Sequence, residues 1–206
     1  MNLLKVSDGV KIVSAVFLDR DGVINQDFGY VGQWSDFHFC PGALDAMKVL
    51  SDKKVDIIIV TNQSGIARGY YTEEEYNVLT KKMLDAMEKH GVMISSVYHC
   101  PHHVEGDVVK YAVTCDCRKP KPGMILKGLE AFSIKAENAI MIGDKDSDEL
   151  ASKAANLNFF YINTKIRNQS SDYFGSLSEC IEFIANSPKY KLCRNYEILE
   201  VGKISL

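Results

Sequence analysis

Five short apolar runs rich in β-branched residues recur along the chain, at Ala15–Leu18, Val55–Val60, Ser96–Tyr98, Ala139–Ile142 and Phe159–Ile162. Continuous rather than alternating hydrophobicity marks strands buried on both faces, as in a parallel sheet. Between these runs the apolar positions switch to helical spacing. Leu44, Met47 and Leu50 share one face of a segment that opens at Pro41-Gly42 and covers Ala43–Leu50. Thr72-Glu-Glu-Glu75 is a capping box, followed by Tyr76, Leu79, Met83, Leu84 and Met87 at helical spacing, with a stop at Gly91. Those Met and Tyr positions read as core. Pro122 begins a helix through Phe132, and Asp146–Ala155 is a shorter one. Strand and helix alternate throughout, which predicts an α/β domain with a doubly wound parallel sheet.

Two stretches break this rhythm, Gly22–Cys40 and Cys100–Pro122. A long aperiodic loop in a compact domain is usually functional. Both follow predicted strands, at the carboxyl edge where open α/β sheets bind ligands. The length of 206 residues corresponds to one domain with a small appendage, at roughly 150 residues per domain. Residues 1–187 are assigned to the domain and 188–206 to a tail of unknown role. A net charge of −3 implies no basic face, so no nucleic-acid partner is expected. The longest apolar run, Val55–Val60, is interrupted by Asp56 and too short for a membrane span, and Met1–Asp8 has no signal-peptide core. The expected compartment is the cytoplasm, whose thiols are kept reduced. Of the six cysteines, Cys40, Cys180 and Cys193 are scattered and read as small buried hydrophobes.

The first strand ends in Asp19-Arg20-Asp21-Gly22, where two carboxylates one residue apart leave an extended strand end on the same side. Asp19 can attack phosphorus as a carboxylate nucleophile, and Asp21 can protonate a leaving alcohol and then deprotonate water. Such a pair also suits Mg²⁺, although Asp and Gly equally build solvated turns. The second strand ends in Thr61-Asn-Gln-Ser-Gly65, a hydroxyl followed by a plausible phosphate cradle or a plain turn. The fourth runs into Gly143-Asp144-Lys145-Asp146-Ser147-Asp148, where Asp146 or Ser147 could simply cap the next helix. Arg118-Lys-Pro-Lys121 offers fixed cations for a phosphoryl group, or solvated charge. Cys100-Pro-His102-His103 and Cys115-Asp-Cys117 supply three thiolates and an imidazole, a donor set for tetrahedral Zn²⁺. Their spacing is tighter than the common C-x₂-C, so reduced structural thiols or a redox pair compete. His99 and His103 are alternatives to His102.

Acidic pair, Thr, Lys and acidic cluster in this order resemble the haloacid dehalogenase superfamily of phosphohydrolases, over about residues 14–165. The segments Arg20-Asp-Gly22, Asn25, Asp27–Val31, Thr61–Gly69, Cys100–His103 and Cys115–Pro120 are similar to its D-glycero-D-manno-heptose 1,7-bisphosphate 7-phosphatase family, with histidinol-phosphate phosphatases as near relatives. The resemblance implies Asp19 as nucleophile, Asp21 as acid/base, and Thr61 and Lys119 as phosphoryl ligands. It implies Mg²⁺ on Asp19, Asp144 and the carbonyl of Asp21, and structural Zn²⁺ on Cys100, His102, Cys115 and Cys117. Sugar-phosphate contacts fall on Asp27, Phe28, Gly29, Tyr30, Thr61, Asn62, Gln63, Ser64, Arg118, Lys119 and Lys145. The implied fold is Rossmann-like without a large cap domain, because too few residues separate Asp21 from Thr61 to hold one. The implied function is Mg²⁺-dependent removal of the 7-phosphate from a heptose bisphosphate by a monomer. A histidinol-phosphate phosphatase is the rival enzyme, and a non-catalytic zinc-binding scaffold the rival from another class. The sequence departs from the family pattern at Val23, where Thr is usual, at Asp146-Ser147, and in its longer tail, including Ile198–Leu206.

Overall fold

The computed structural model describes residues 9–162 and 172–194. Its strands are β1 (Lys11–Val13), β2 (Ala15–Leu18), β3 (Asp56–Asn62), β4 (Ser96–Cys100), β5 (Ala139–Gly143), β6 (Asn158–Ile162), β7 (Tyr173–Phe174) and β8 (Tyr190–Leu192). The helices are α1 (Ala43–Asp52), α2 (Glu73–Lys89), α3 (Gly123–Ala131), α4 (Asp146–Ala154) and α5 (Leu177–Asn186). Six strands pair in parallel in the order β4-β3-β2-β5-β6-β7. The chain therefore builds outward from β2 in one direction and then returns to build in the other. That reversal opens a crevice beyond the carboxyl end of β2, where Asp19 follows.

The period-2 geometry of β2 divides the core. Val16 and Leu18 join Met47, Leu50, Ile57, Ile59, Met83 and Ile181 in one layer, beneath α1, α2 and α5. Ala15 and Phe17 face the other way, with Ile58, Val60, Ile125, Leu129 and Met141, against α3 and the α4 side. The five expected strands and four expected helices are all present, with boundaries shifted by a few residues. The capping box at the start of α2 is complete: Glu75 N–H donates to Thr72 Oγ1 and Thr72 N–H to Glu75 Oε2.

Elements outside the sequence reading are β1, β7, β8 and α5. Ser176 caps α5 by accepting from the Glu179 N–H, and Leu177, Cys180, Ile181 and Ile184 bury its inner face. Strand β8 pairs in parallel with β1, Lys11 opposite Tyr190, so residues 190–192 of the expected tail are joined to the amino-terminal strand. Ile198–Leu206 lies outside the described residues. Among the isolated cysteines, Cys180 is fully buried, but Cys40 and Cys193 are only half-buried, contrary to expectation. Between β2 and β3 the chain holds a loop, one 3₁₀ turn at Trp34–Asp36 and α1, with no cap domain. No helix among the described residues is long and apolar enough to cross a membrane.

Candidate active site

Asp19 sits just past β2, only 3% exposed. Its Oδ1 lies 2.8 Å from Lys119 Nζ, which also meets Asp148 Oδ1 at 2.6 Å and donates to the Val60 carbonyl at 2.8 Å. Asn62 fixes this lysine from the neighbouring strand, bonding both the N–H and the C=O of Lys119 through its side-chain amide. Burial and the nearby Asp148 charge push the Asp19 carboxyl above the usual carboxylate range, while Lys119 and Lys145 oppose the shift. Burial works against the Lys119 ammonium, but Asp19 and Asp148 hold its pKa above the ordinary lysine value.

Asp144, Asp19 and Asp148 bring carboxylate oxygens within 4.8 Å of one another. Burial, reinforced by the charges of Asp19 and Asp148 against that of Lys145, raises Asp144 to about 7. Asp144 Oδ1 is buried without a hydrogen-bond partner. Gly22 leaves room for this carboxylate: it has φ +93°, and a Cβ there would lie 2.2 Å from Asp144 Oδ2. Crowded, under-neutralised oxygens with one orphaned acceptor fit a hard divalent cation such as Mg²⁺. Asp148 also closes the first turn of α4, accepting from the Lys145 N–H at 3.1 Å. The capping expected of Asp146 or Ser147 thus falls to Asp148.

The Asp21 carboxylate stands apart from this trio. It accepts from Arg20 Nε and Nη2, from Asn25 Nδ2 and from Gln63 Nε2, at 2.8–3.1 Å. Thr61 is buried, and its Oγ1 accepts from Gln63 Nε2 at 2.7 Å.

A cleft of about 310 Å³ opens beside Asp21 and Lys119. Of the residues expected at the substrate, Asp27, Gly29, Tyr30, Asn62, Gln63, Ser64, Arg118, Lys119 and Lys145 line it, as does Asp21. Phe28 and Thr61 do not: Phe28 is 63% exposed and packs edge-on against His38, and Thr61 is buried beneath the surface. Nor are the amides of Asn62 and Gln63 free for a ligand, since each is committed to protein partners. A larger cavity of about 720 Å³ lies past Asp27, walled by Gly22, Cys40 and Ser176, and reaches Asp144 from the other side. The expected phosphoryl ligand Lys119 and the cations Arg118 and Lys145 all border the smaller cleft and none borders the larger cavity, so the smaller cleft is the candidate substrate site, although Arg118 also lines a separate pocket beside Cys115.

On the far side of Arg118, Cys100, His102, Cys115 and Cys117 converge. The sulfur–sulfur contacts are 3.5 and 3.3 Å, and His102 Nδ1 lies 3.7 and 3.4 Å from Cys100 and Cys117. A tetrahedron of roughly 2.3 Å Zn–S bonds has edges of about 3.8 Å, so this cage suits Zn²⁺. His102 is selected over its neighbours. His99 is bonded to Glu73, and His103 to Arg68 and the Glu105 N–H. Arg118 donates to the His102 carbonyl at 3.2 Å, which couples the cage to the cleft wall.

A family model described as haloacid dehalogenase-like hydrolase matches residues 87–162. The D-glycero-beta-D-manno-heptose-1,7-bisphosphate 7-phosphatase of Pasteurella multocida is 39% identical over 175 residues, covering 85% of this chain and 95% of that protein. Its namesake from Vibrio cholerae is 47% identical over 141 residues, 68% of this chain and 76% of that one. The chain belongs to this phosphatase family. A solved structure titled as the D,D-heptose 1,7-bisphosphate phosphatase of B. bronchiseptica, complexed with magnesium and phosphate, superposes with a TM-score of 0.72 at 26% identity. That likeness covers 82% of this chain and 97% of the other.

Three residues of this phosphatase's site lie outside the sequence reading of function. Asp148 sits in an acidic run that reads equally well as a helix cap. Arg20, 1% exposed, grips Asp21 and the Val31 carbonyl, and looks in sequence like a spacer between two aspartates. Tyr71 precedes the α2 capping box and carries no motif of its own.

Proposed function

We propose that this protein is a Mg²⁺-dependent phosphomonoesterase that removes the 7-phosphate of D-glycero-D-manno-heptose 1,7-bisphosphate and leaves the 1-phosphate. The observation that carries the chemistry is the buried Asp19–Lys119–Asp148 contact beside the orphaned Asp144 oxygen, at the carboxyl end of β2. It sets a buried carboxylate next to a fixed cation, Lys119, that borders the cleft. The substrate is supported by the names of the relatives and by the second pair of cations, Arg118 and Lys145, on the cleft wall.

In this mechanism a carboxylate oxygen of Asp19 attacks phosphorus and the bond from phosphorus to the leaving oxygen breaks, giving an aspartyl phosphate. Asp21 delivers its proton to that leaving oxygen. A water then attacks phosphorus, Asp21 takes its proton, and the released phosphate restores the Asp19 carboxylate. The Lys119 ammonium and the Thr61 hydroxyl hold phosphoryl oxygens throughout. Asp19, Asp144 and the carbonyl of Asp21 would hold Mg²⁺, which when bound supplies positive charge to the phosphoryl oxygens. Cys100, His102, Cys115 and Cys117 would hold Zn²⁺ as a structural ion, four protein ligands leaving no open position. The distal phosphate meets the Arg118 guanidinium, which grips phosphate bidentately.

The deciding experiment compares kcat/KM for the heptose bisphosphate and for histidinol phosphate, with and without Mg²⁺. The cationic amine of histidinol phosphate is repelled by Arg118 and Lys119, so the bisphosphate is expected to be favoured by at least ~10²-fold, only with Mg²⁺ present. Preference for histidinol phosphate overturns the substrate. No phosphate release from either overturns the phosphatase reading.

A further inference from the structure

Gln63 occupies a position that the reaction scheme above leaves without a task. Its side chain is 1% exposed, yet all its hydrogen-bonding groups are used. Nε2 donates to Asp21 Oδ2 at 2.9 Å and to Thr61 Oγ1 at 2.7 Å, and Oε1 accepts from the Tyr71 hydroxyl at 2.6 Å. A carboxylate only accepts, so the amide must turn Nε2 toward Asp21 and Oε1 toward Tyr71, and the phenol must be the donor. Burial holds the Tyr71 phenol well above its ordinary range, which keeps that proton in place. The two N–H bonds of one amide thereby span the expected acid/base and an expected phosphoryl ligand. Because Thr61 Oγ1 accepts from Gln63, its own proton is left for another acceptor.

The phenol that sets this amide is itself held in a slot. A Cβ at Gly32 would lie 2.3 Å from Tyr71 Cδ1, and one at Gly65 2.3 Å from Cε1. The ring thus lies between two chain segments that approach closer than any side chain would allow, one from the 22–40 flap and one from the turn after β3. The other donors to Asp21 come from Arg20 and Asn25, on its own loop. Gln63 is the donor that ties Asp21 to the β3 end.

We propose that Tyr71 and Gln63 are positioning residues: they orient the Asp21 carboxyl toward the leaving oxygen and the Thr61 proton toward the phosphoryl group. The proposal rests on the phosphatase reading, in which Asp21 protonates the leaving oxygen. It predicts an effect graded by leaving group. A p-nitrophenolate departs without protonation, phenolate is helped by it, and a primary alkoxide requires it.

The test measures kcat/KM, which reports the steps up to transfer onto Asp19, for p-nitrophenyl phosphate, phenyl phosphate and the heptose bisphosphate. The proteins are wild type, Tyr71→Phe, Gln63→Leu and, as a reference, Asp21→Asn. Tyr71→Phe deletes one oxygen from a ring that keeps its slot, so it decides the matter even if Gln63→Leu fails to fold. It is expected to lose roughly tenfold on the bisphosphate, less on phenyl phosphate, and within about twofold on p-nitrophenyl phosphate, a shallower copy of Asp21→Asn. Gln63→Leu adds a loss common to all three through Thr61. Equal losses by Tyr71→Phe across the series, as a purely structural role would give, or no loss at all, overturn the proposal. Wild-type protein inert toward all three substrates would instead overturn the phosphatase reading.

Discussion

Lys145 Nζ lies 2.9 Å from Asp27 Oδ2, an ion pair that joins the flap to the start of α4 across the mouth of the cleft. Burial opposes the Lys145 charge, but Asp19, Asp144 and Asp27 keep its pKa above that of an ordinary lysine. The cation is therefore present in the free protein and already has a weak, half-exposed partner that a phosphate can displace. Lys145→Ala is expected to raise KM for the bisphosphate about tenfold with a smaller change in kcat. Steady-state kinetics check this, and an unchanged KM would remove Lys145 from the substrate's surroundings.

Lys119 and Asp19 should separate stability from turnover. Lys119→Met strands the buried carboxylates of Asp19 and Asp148, and removing one partner of a buried pair costs about 3 kcal/mol. Asp19→Asn leaves Lys119 its Asp148 partner, so its denaturation midpoint should stay close to wild type. Both variants are expected to be inactive, Asp19→Asn because an amide is a poor nucleophile. Urea unfolding alongside phosphate release tests the pair of outcomes. More than a few per cent activity in Asp19→Asn would end the covalent mechanism.

The cysteine cage predicts two classes of metal by ease of removal. Gentle chelation should strip Mg²⁺ and stop turnover reversibly while about one zinc per chain remains, since thiolates hold zinc far better than carboxylates do. Cys115→Ser should lose that zinc and, through the Arg118–His102 contact, raise KM more than it lowers kcat. Elemental analysis of protein purified under reducing conditions checks the stoichiometry.

Glu73 at the start of α2 anchors the zinc loop by accepting from the Tyr111 hydroxyl and from His99. The Tyr111 bond, with His99 and against partial burial, holds the Glu73 carboxyl below its ordinary value of 4.5. A carboxylate with a depressed folded pKa contributes stability above the unfolded value and loses it as pH falls through the folded one. The melting temperature of wild type should therefore exceed that of Glu73→Gln modestly at pH 7, by less than about 1 kcal/mol in stability, and the gap should close below pH 4.5. Paired thermal melts between pH 4 and 7.5 measure it; a gap that ignores pH would assign the effect to shape instead of charge.

The sheet was legible because parallel strands need continuous apolar runs, and Val55–Val60 or Ala139–Ile142 fit little else. Helix α2 announced itself by a capping box. Helix α5 carries a similar signature in Ser176-Leu-Ser-Glu179, followed by apolar residues at helical spacing, so its pattern was available in the residues even though no element was assigned there. Strands β1, β7 and β8 span two or three residues each and bury little, too short for any periodicity. In the site, Asp19, Thr61 and Asp144 could be placed because strand ends put them on one edge, whereas Lys119, in the loop between β4 and α3, was placed by the family resemblance. What Asn62 and Gln63 bond to could not, because an amide's partners are set by residues distant in sequence: Lys119 for one, Asp21 and Tyr71 for the other. The same holds for Asp148, whose single carboxylate serves both a helix turn and Lys119.

The pairing of β1 with β8 brings the first and last described strands side by side. This contact spans nearly the whole chain, so its loop-closure cost is repaid only after the six-stranded sheet has assembled, which makes it a late folding event. The strand has no part in the cleft, and the catalytic crevice depends on β2 through β6. Cutting the chain after Ser187 would therefore expose the edge of β1 and the Tyr190-covered side of Phe160 while leaving the chemistry intact. A phosphatase so trimmed would turn over normally yet self-associate through its bared edge, separating solubility from catalysis within one domain.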